Sequence, residues 1–514
     1  MESLAPVLNY DILLEVMKMC ERPDCSRFMR TCRFFHTHGF EALLSHDIST
    51  STEEDLTRVL AFLRKDPDKR FKFVRSMQFD FPELTDTATL ELADALRRMV
   101  NLTALSIQYS EDIILSDPEP ALFDAIAALT SLRELDLQYA GEHSIRLLQS
   151  LRSELVEVNV HILDMTDCTC FFDTVPADDR PLYHPAVLLQ HSRSTLQELF
   201  TYEWYMDADT PPDPTLVYPQ MWRLDLERSL FPCTLPLINA YPNLTHLCFH
   251  TGESEHQPYL QSKIEAYDTR HALNISQQQA SGRTWESLHE YSGSLVDLYL
   301  LGLTCPINSV YLHSMPTVLR HMLPPVLAYA RPRDLTLQNW PMQLRDNHPA
   351  EVFAALRGEG VSRLEAFCIE ARLEQDDGAV DIAAVLVRAQ SITFPCIRVS
   401  LQIYLRSKEG LRSSLLSAPL QELRMNIGMQ PDCESVAARA QWHPRDPPPD
   451  REESPSMCLA ERSAEDFDLE GYLRQFMEDV PTLRRANIEL NGPKDRWRFA
   501  TIVDGKLQIE ERRS

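Results

Sequence analysis

Several things that catalytic sites are built from are scarce or missing in this sequence. Only 14 of its 514 residues are glycine. It contains no Gly-rich phosphate loop, no nucleophile elbow and no His-Glu-x-x-His helix, so nucleotide, esterase and metalloprotease chemistry have no signature here. No apolar run is long enough to cross a bilayer, and the first twenty residues, with acids at Glu2, Asp11 and Glu15, lack the basic start and apolar centre of a signal peptide. The expected location is therefore cytoplasmic and/or nuclear. Positive charge is short as well: 50 Lys and Arg face 76 Asp and Glu, for a formal net charge of -26 and a pI near 5.0. That balance repels phosphate backbones and anionic lipid, and no basic patch is set apart, so neither nucleic acid nor membrane is an expected partner.

The 12 cysteines are scattered. Many hold apolar positions, such as Cys248 and Cys368, and read as small buried hydrophobes in a reducing compartment. Cys168-Thr169-Cys170 is the tightest pair, but its one-residue spacing and the lack of a second Cys/His pair nearby make a poor zinc site. Asp164/Asp167 and Asp376-Asp377 read as solvated carboxylates. Sequons begin at Asn101, Asn243 and Asn274, without meaning unless the chain is exported. No cofactor or metal is expected, and the chain reads as a non-enzyme.

What is present is a repeat. In Leu132-Arg133-Glu134-Leu135-Asp136-Leu137-Gln138, apolar residues stand at i, i+3 and i+5, and the last two alternate with polar ones at strand period. The spelling returns as Leu102/Leu105/Ile107, Leu155/Val158/Val160, Leu244/Leu247/Phe249, Leu295/Leu298/Leu300 and Leu420/Leu423/Met425, and more loosely as Met221/Leu224/Leu226 and Leu364/Phe367/Ile369. Leu102 to Leu132 is 30 residues and Leu132 to Leu155 is 23. A helical pattern precedes each copy, so the unit resembles a leucine-rich repeat, whose apolar face only the next unit can cover. The fold class this implies is α/β: an irregular solenoid with parallel strands lining a concave face and helices outside. The Asn or Cys usual after the last strand Leu is replaced by Ser110, Ala140, Ser229, Gly252 or Gly428, so the arc should be irregular.

The repeats are expected over 48–430. Ser51-Thr52-Glu53-Glu54 reads as a capping box before the Leu56, Val59, Leu60, Leu63 face. Helices over Asp86 to Met99 and Pro120 to Leu129 alternate with strands through Met77, Leu105 and Leu135. A looped insertion is expected near 251–293, where Ser276-Gln277-Gln278-Gln279 is too polar to bury, with helix returning at Trp285 to Leu288. Residues 431–464 read as a proline-rich acidic loop. Residues 465–514 read as a last repeat and a β-hairpin cap turning at Asp504-Gly505.

Residues 1–47 differ. Ile12, Leu13, Val16 and Met17 form one helical stripe, and Phe28, Cys32 and Phe35 another; Pro23-Asp24 divides them, with Asp24 placed as a cap and a third helix over His36 to Leu44. About forty residues is too few for a self-sufficient core. Leu4-Ala5-Pro6, Tyr10-Asp11-Ile12-Leu13-Leu14-Glu15-Val16-Met17, Asp24-Cys25 and Met29-Arg30-Thr31-Cys32-Arg33-Phe34-Phe35 resemble the F-box, which runs Leu-Pro, Leu-Leu, Ile-Phe, Asp-Leu, then Val-Cys-Arg/Lys and an aromatic residue. Ala5, Cys25, Thr31 and Phe35 depart from that pattern. The resemblance implies docking of a Skp-type adaptor, and through it a cullin, by Leu4, Pro6, Ile12, Leu13, Val16, Met17, Cys25, Phe28, Cys32 and Phe35. The solenoid would hold an as yet undefined protein substrate on a concave face lined by Arg133, Glu134, Asp136, Gln138, Asp225, Glu227, His246, Asp297, Tyr299, Arg424 and Asn426.

Two alternatives stay open. One is a leucine-rich-repeat scaffold outside the ubiquitin system, with the N-terminal helices capping the first repeat; the other is an enzyme hidden in the insertion. The adaptor reading requires Ile12 and Val16 to stay partly exposed. The scaffold reading buries them against the Leu56 helix, and the enzyme reading requires a pocket of perturbed acids or histidines.

Overall fold

The computed structural model describes residues 9–115, 121–162, 175–176, 180–204, 215–229, 233–251, 263–313, 317–338, 359–373, 398–405, 466–479, 485–492, 496–503 and 506–513. It forms two compact units, the first running to Leu244 with His250–Gly252, the second comprising Thr245–Phe249 and the rest.

The first unit opens on four short helices: α1 (Tyr10–Lys18), α2 (Arg22–Met29), α3 (Arg33–His38) and α4 (Phe40–Leu44). Asn9 caps α1, its side chain accepting from the Asp11 amide. Pro23 does not divide the helices as its sequence position suggests. It lies in the first turn of α2, where a missing N–H costs nothing, and Asp24 caps nothing but pairs with Arg27 at 2.6 Å. The expected third helix is two, broken at Gly39. A Cβ there would come within 2.6 Å of Met17 Cε and 2.8 Å of Met29 Cγ, so the break lets α3 and α4 close on the bundle core of Met17, Cys25, Met29, Phe35 and Ala42.

Seven strands follow: β1 (Ile48–Thr50), β2 (Ser76–Phe79), β3 (Ala104–Ile107), β4 (Glu134–Leu137), β5 (Glu157–His161), β6 (Glu198–Tyr202) and β7 (Arg223–Glu227). Each pairs in parallel with the next. Leu105, Leu135, Val158, Leu199 and Leu224 are register partners in turn, so the alternating apolar residues stack as one buried row and the polar residues between them face away. Each fully buried Leu or Val contributes roughly 1.5–3 kcal/mol. On the buried side pack helices Glu53–Leu63, Asp86–Arg98, Ala121–Ala127 and Glu142–Ser150, through residues such as Leu56, Leu92, Ile126 and Leu147. The cap of the first is Thr52 accepting from Asp55 N at 3.1 Å, one residue beyond the expected Ser51/Glu54 box.

Backbone bonds do part of the missing asparagine's work at the turns. The Ser110 and Ala140 amides donate to the carbonyls of Gln138 and His161 at 3.0 and 2.8 Å, and Ser110 Oγ adds 2.9 Å to the same Gln138 oxygen. Tyr139, Glu203 and Arg228 take φ of 51°, 60° and 52° to make this turn.

In the second unit β8 (His246–His250), β9 (Leu288–Gly293), β10 (Ile307–Leu312), β11 (Asp334–Leu337), β12 (Ala366–Leu373), β13 (Arg398–Leu405) and β14 (Arg485–Gly492) pair in parallel in chain order. β15 (Arg496–Val503) and β16 (Lys506–Arg513) join antiparallel, continuing the edge of the sheet. Asp504 and Gly505 lie outside the described residues, as do the repeat at Leu420 and the proline-rich segment.

Three expectations fail here. The Leu295/Leu298/Leu300 copy is a helix, Leu295–Leu301. Ser294 Oγ accepts from Asp297 N at 3.1 Å, the Asp297 carboxylate accepts from Ser294 N at 3.2 Å, and Gly302 ends the helix at φ 55°. The glutamine stretch belongs to an 18-residue helix, Ile264–Ser281, and does not loop off. Its buried Asn274 and Gln278 donate to the Leu300 and Gly302 carbonyls at 2.7 and 2.8 Å, satisfying the end of the Leu295 helix. Trp285 to Leu288 is not helical but leads into β9, with Trp285 buried. Among the described residues no helix is long and apolar enough to cross a membrane.

Candidate partner-binding surfaces

The first surface is the outer side of α1. Four-residue spacing puts Ile12 and Val16 on one face, 51% and 42% exposed, with Tyr10 and Met19 also exposed. The Leu56 helix does not cover them. Leu13, Phe28 and Cys32 are half-buried and pack against the bundle core, whereas Met17, Cys25 and Phe35 are that core. Those three hold the exposed face of α1 in place and lie too deep to be touched by a partner. The Tyr10 ring packs tilted against Phe34 at 4.5 Å and Phe34 against His38 at 4.7 Å, extending the apolar edge. A groove beside it is lined by Asp11, Leu14, Glu15, Lys18, His38, Glu41 and Ala42, with Lys18 paired to Glu15 at 3.0 Å and Glu41 at 3.6 Å. Burial, then proximity to Cys20, pushes the Cys25 thiol pKa up, and Sγ donates to Met17 O at 3.0 Å: an inert core thiol. Leu4 and Pro6 lie outside the described residues.

The second surface is the open face of the first unit's sheet. Register places Glu134, Glu157, Glu198 and Arg223 in one row, Ser106, Asp136, Asn159, Phe200 and Asp225 in the next, and His161, Tyr202 and Glu227 in a third. Asp136 accepts from Ser106 at 2.8 Å and from Gln138 at 2.7 Å. Asp225 pairs with Arg223 at 3.0 Å. Arg133 precedes the strand and bonds the Glu154 carbonyl at 2.8 Å. The Glu157 carboxyl is pushed up by burial and then by Glu198, with Arg223 opposing and Asp136 adding. Arg223 lies 4.8 Å over the Phe200 ring and Arg228 5.2 Å over Tyr202, which stacks on His161; Tyr109 stacks on Tyr139 at 5.1 Å.

Sequence reasoning missed Glu157, Asn159, Glu198, Phe200 and Tyr202. The first two stand between Leu155, Val158 and Val160 as Asp136 stands between its leucines, a signal that was available. β6 was hidden because Thr201 takes the place of the third apolar residue.

In the second unit His246 lies 5.1 Å from His289 and contacts Thr245 Oγ1 at 2.9 Å. Asp297 and Tyr299 are not on a strand face. They belong to the Leu295–Leu301 helix, where Asp297 is fully buried as a cap; Tyr299, also buried, donates to Asp268 at 2.9 Å and stacks on His271, burial and then that carboxylate driving its pKa well up. Arg424, Asn426, Cys168, Cys170, Asp164, Asp167, Asp376, Asp377, Tyr205 and Trp340 lie outside the described residues. Trp204 is core, its indole donating to Tyr183 O at 2.8 Å.

Two perturbed groups are structural caps. His184, driven down to about 4 by burial, accepts from Ala186 N at 3.1 Å. The Glu111 carboxylate caps the helix starting at Glu142. Among the described residues no group of three or more His, Cys, Asp or Glu could hold a metal ion. Compared with models of known protein families and with curated proteins, the sequence matches none.

Proposed function

We propose that this chain is the substrate-recognition subunit of a Skp–cullin–F-box ubiquitin ligase, its N-terminal bundle an F-box and its strand–helix units irregular leucine-rich repeats. One observation carries the reading. A bundle core closed by Met17, Cys25, Met29 and Phe35 leaves Ile12 and Val16 outside it, on one face of a capped helix. An apolar helical face of this kind suits helix-in-groove docking on a Skp-type adaptor. The open sheet face would then hold the substrate, and tethering would raise the effective concentration of its lysines near the charged thioester. Bond chemistry belongs to the partners; this subunit is non-catalytic.

The test is binding of the purified full-length chain to a Skp-type adaptor, beside an Ile12→Asp/Val16→Asp variant. Both side chains are half in solvent, so the variant should keep its fold. Two carboxylates pressed into an apolar interface cost several kcal/mol, on the order of a hundredfold or more in affinity. Absence of binding by folded wild type would replace the ligase reading with a leucine-rich-repeat scaffold outside the ubiquitin system.

A further inference from the structure

We infer that the open face of β4 to β7 takes an extended protein segment bearing arginines, which names the substrate class for the recognition surface and rests on the ligase reading for the word substrate alone. Glu134, Glu157 and Glu198 are register partners on three adjacent parallel strands. Neighbouring strands lie about 4.8 Å apart, and like charges directly opposite oppose folding. Among the described residues the row itself holds one cation, Arg223 at its end, and that guanidinium is paired with Asp225. None of the three glutamates has an ion-pair partner within 4.0 Å among the described residues.

Asn159, in register between Asp136 and Phe200, adds a partly exposed amide to the face. The aromatic rings show which cation the surface suits. Arg223 and Arg228 already lie over Phe200 and Tyr202, so the rings of this face accept guanidinium. Stacking on a ring while forking onto a carboxylate is what guanidinium does and ammonium does poorly. With a net charge of -26 the chain also attracts cations at long range, so the surface must be distinguished from the bulk charge.

The probe is a fluorescein-labelled decapeptide of alternating Arg and Gly, titrated by anisotropy into the full-length chain at physiological ionic strength. Lys–Gly and Glu–Gly decapeptides run beside it. Expected results are binding in the order Arg–Gly, Lys–Gly, Glu–Gly, and at least tenfold weaker Arg–Gly binding by Glu134→Gln/Glu157→Gln/Glu198→Gln. Asp80→Asn/Glu83→Gln/Glu286→Gln, which removes the same charge from exposed positions elsewhere, should stay within twofold of wild type. Equal weakening by the two triple variants would show that only bulk charge is read and overturn the inference, as would no Arg–Gly binding or equal binding of Lys–Gly. Adaptor binding by the same wild-type preparation separates the two readings: peptide binding without adaptor binding overturns only the ligase, and the converse only this inference.

Discussion

Glu111→Gln should destabilise the first unit far more than an ordinary surface substitution. The helix Glu142–Ser150 begins at Gly141, which has no side chain to cap it. Glu111, from the helix one repeat earlier, supplies the cap. Its Oε2 accepts from the amides of Gly141 at 2.9 Å and Ser144 at 3.1 Å and from Ser144 Oγ at 3.0 Å, while Oε1 takes His143 N and meets His143 Nδ1, both at 2.9 Å. The carboxylate is only 20% exposed. A glutamine retains one oxygen and turns an NH₂ on the other set of donors. Bonds to a charged acceptor contribute about 1.5–3 kcal/mol each, and an orphaned buried donor costs about 1–3, so the net loss should be about 3 kcal/mol. Against a typical domain stability of about 5–15 kcal/mol, that is visible in a urea melt.

The pH dependence has a definite sign. Burial alone would raise the Glu111 pKa, but the bonds from His143 and Ser144 outweigh it and the folded value is lowered. The stabilisation is therefore present above the unfolded carboxylate range and lost as pH falls through the lower folded value. Melts at pH 7 and 5 should show the full gap between wild type and Glu111→Gln, and the gap should close only at pH values below about 4. A gap under 1 kcal/mol at pH 7, or one that widens on acidification, would refute the capping argument.

His184 is buried and neutral with its pKa at about 4, so its stabilisation is complete above the unfolded value of 6.5 and is lost between there and 4. The loss should reach about 3 kcal/mol; a His184→Asn variant, able to cap but not to titrate, should show a flat profile over that window. Gln278→Leu leaves the Gly302 carbonyl unpaired and should cost about 1–3 kcal/mol in urea melts. Gly39→Ala drives a methyl into Met17 and the Phe35 carbonyl, an overpacking cost of about 1–3 kcal/mol. It should weaken adaptor binding through the bundle's fold, with near-UV circular dichroism changing in step, whereas Ile12→Asp/Val16→Asp should weaken it with the spectrum unchanged.

The parts of the fold that the sequence announced are those where one strand face is buried and the other is not, because burial then writes a two-residue period. β3, β4, β5, β7 and β8 are of that kind, and their apolar residues were identified correctly. β1 is only three residues long, too short for a period to register, and β6 breaks the spelling at Thr201. The segment Leu295–Leu301 is buried at all seven positions, so it carries no period at all, and its three leucines fit the strand spelling by accident. What decides it is local: a capping box at Ser294 and a left-handed glycine at Gly302. The helix Ile264–Ser281 was invisible for the opposite reason, since its buried face is Tyr267, Asn274 and Gln278, two of them amides serving carbonyls rather than apolar residues filling a core.

The site was legible to the same uneven degree. Ile12 and Val16 followed from helical spacing, but which members of the stripe face inward depends on where Gly39 lets α4 close. Asp136 and Asp225 followed from alternation, whereas the glutamate row emerges only once β6 is placed, because register, not spacing, brings Glu198 beside Glu157.

Both surfaces belong to the first unit, and the contacts between the bundle and the first strand–helix unit bear on the proposed proximity mechanism. Phe40 of α4 packs edge-on against Phe73 at 5.6 Å, Arg70 lies over the rings of Phe40 and Phe62 at 5.5 and 4.1 Å, and its guanidinium donates to the Phe62 carbonyl at 2.7 Å. Arg22 of α2 reaches the Asp47 carbonyl at 3.3 Å. A bundle fixed in this way cannot swing freely on the repeats. Under the proposed ligase function, reach toward a substrate lysine would be set by a fixed orientation rather than averaged over a flexible tether, giving a higher effective concentration for lysines in register and almost none for those out of reach. Arg70→Ala should loosen this joint without touching α1. In a reconstituted ligase it should leave adaptor affinity unchanged and broaden the set of modified lysines on a bound substrate, read by peptide mapping. An unchanged lysine pattern would mean that the joint does not set the geometry of transfer.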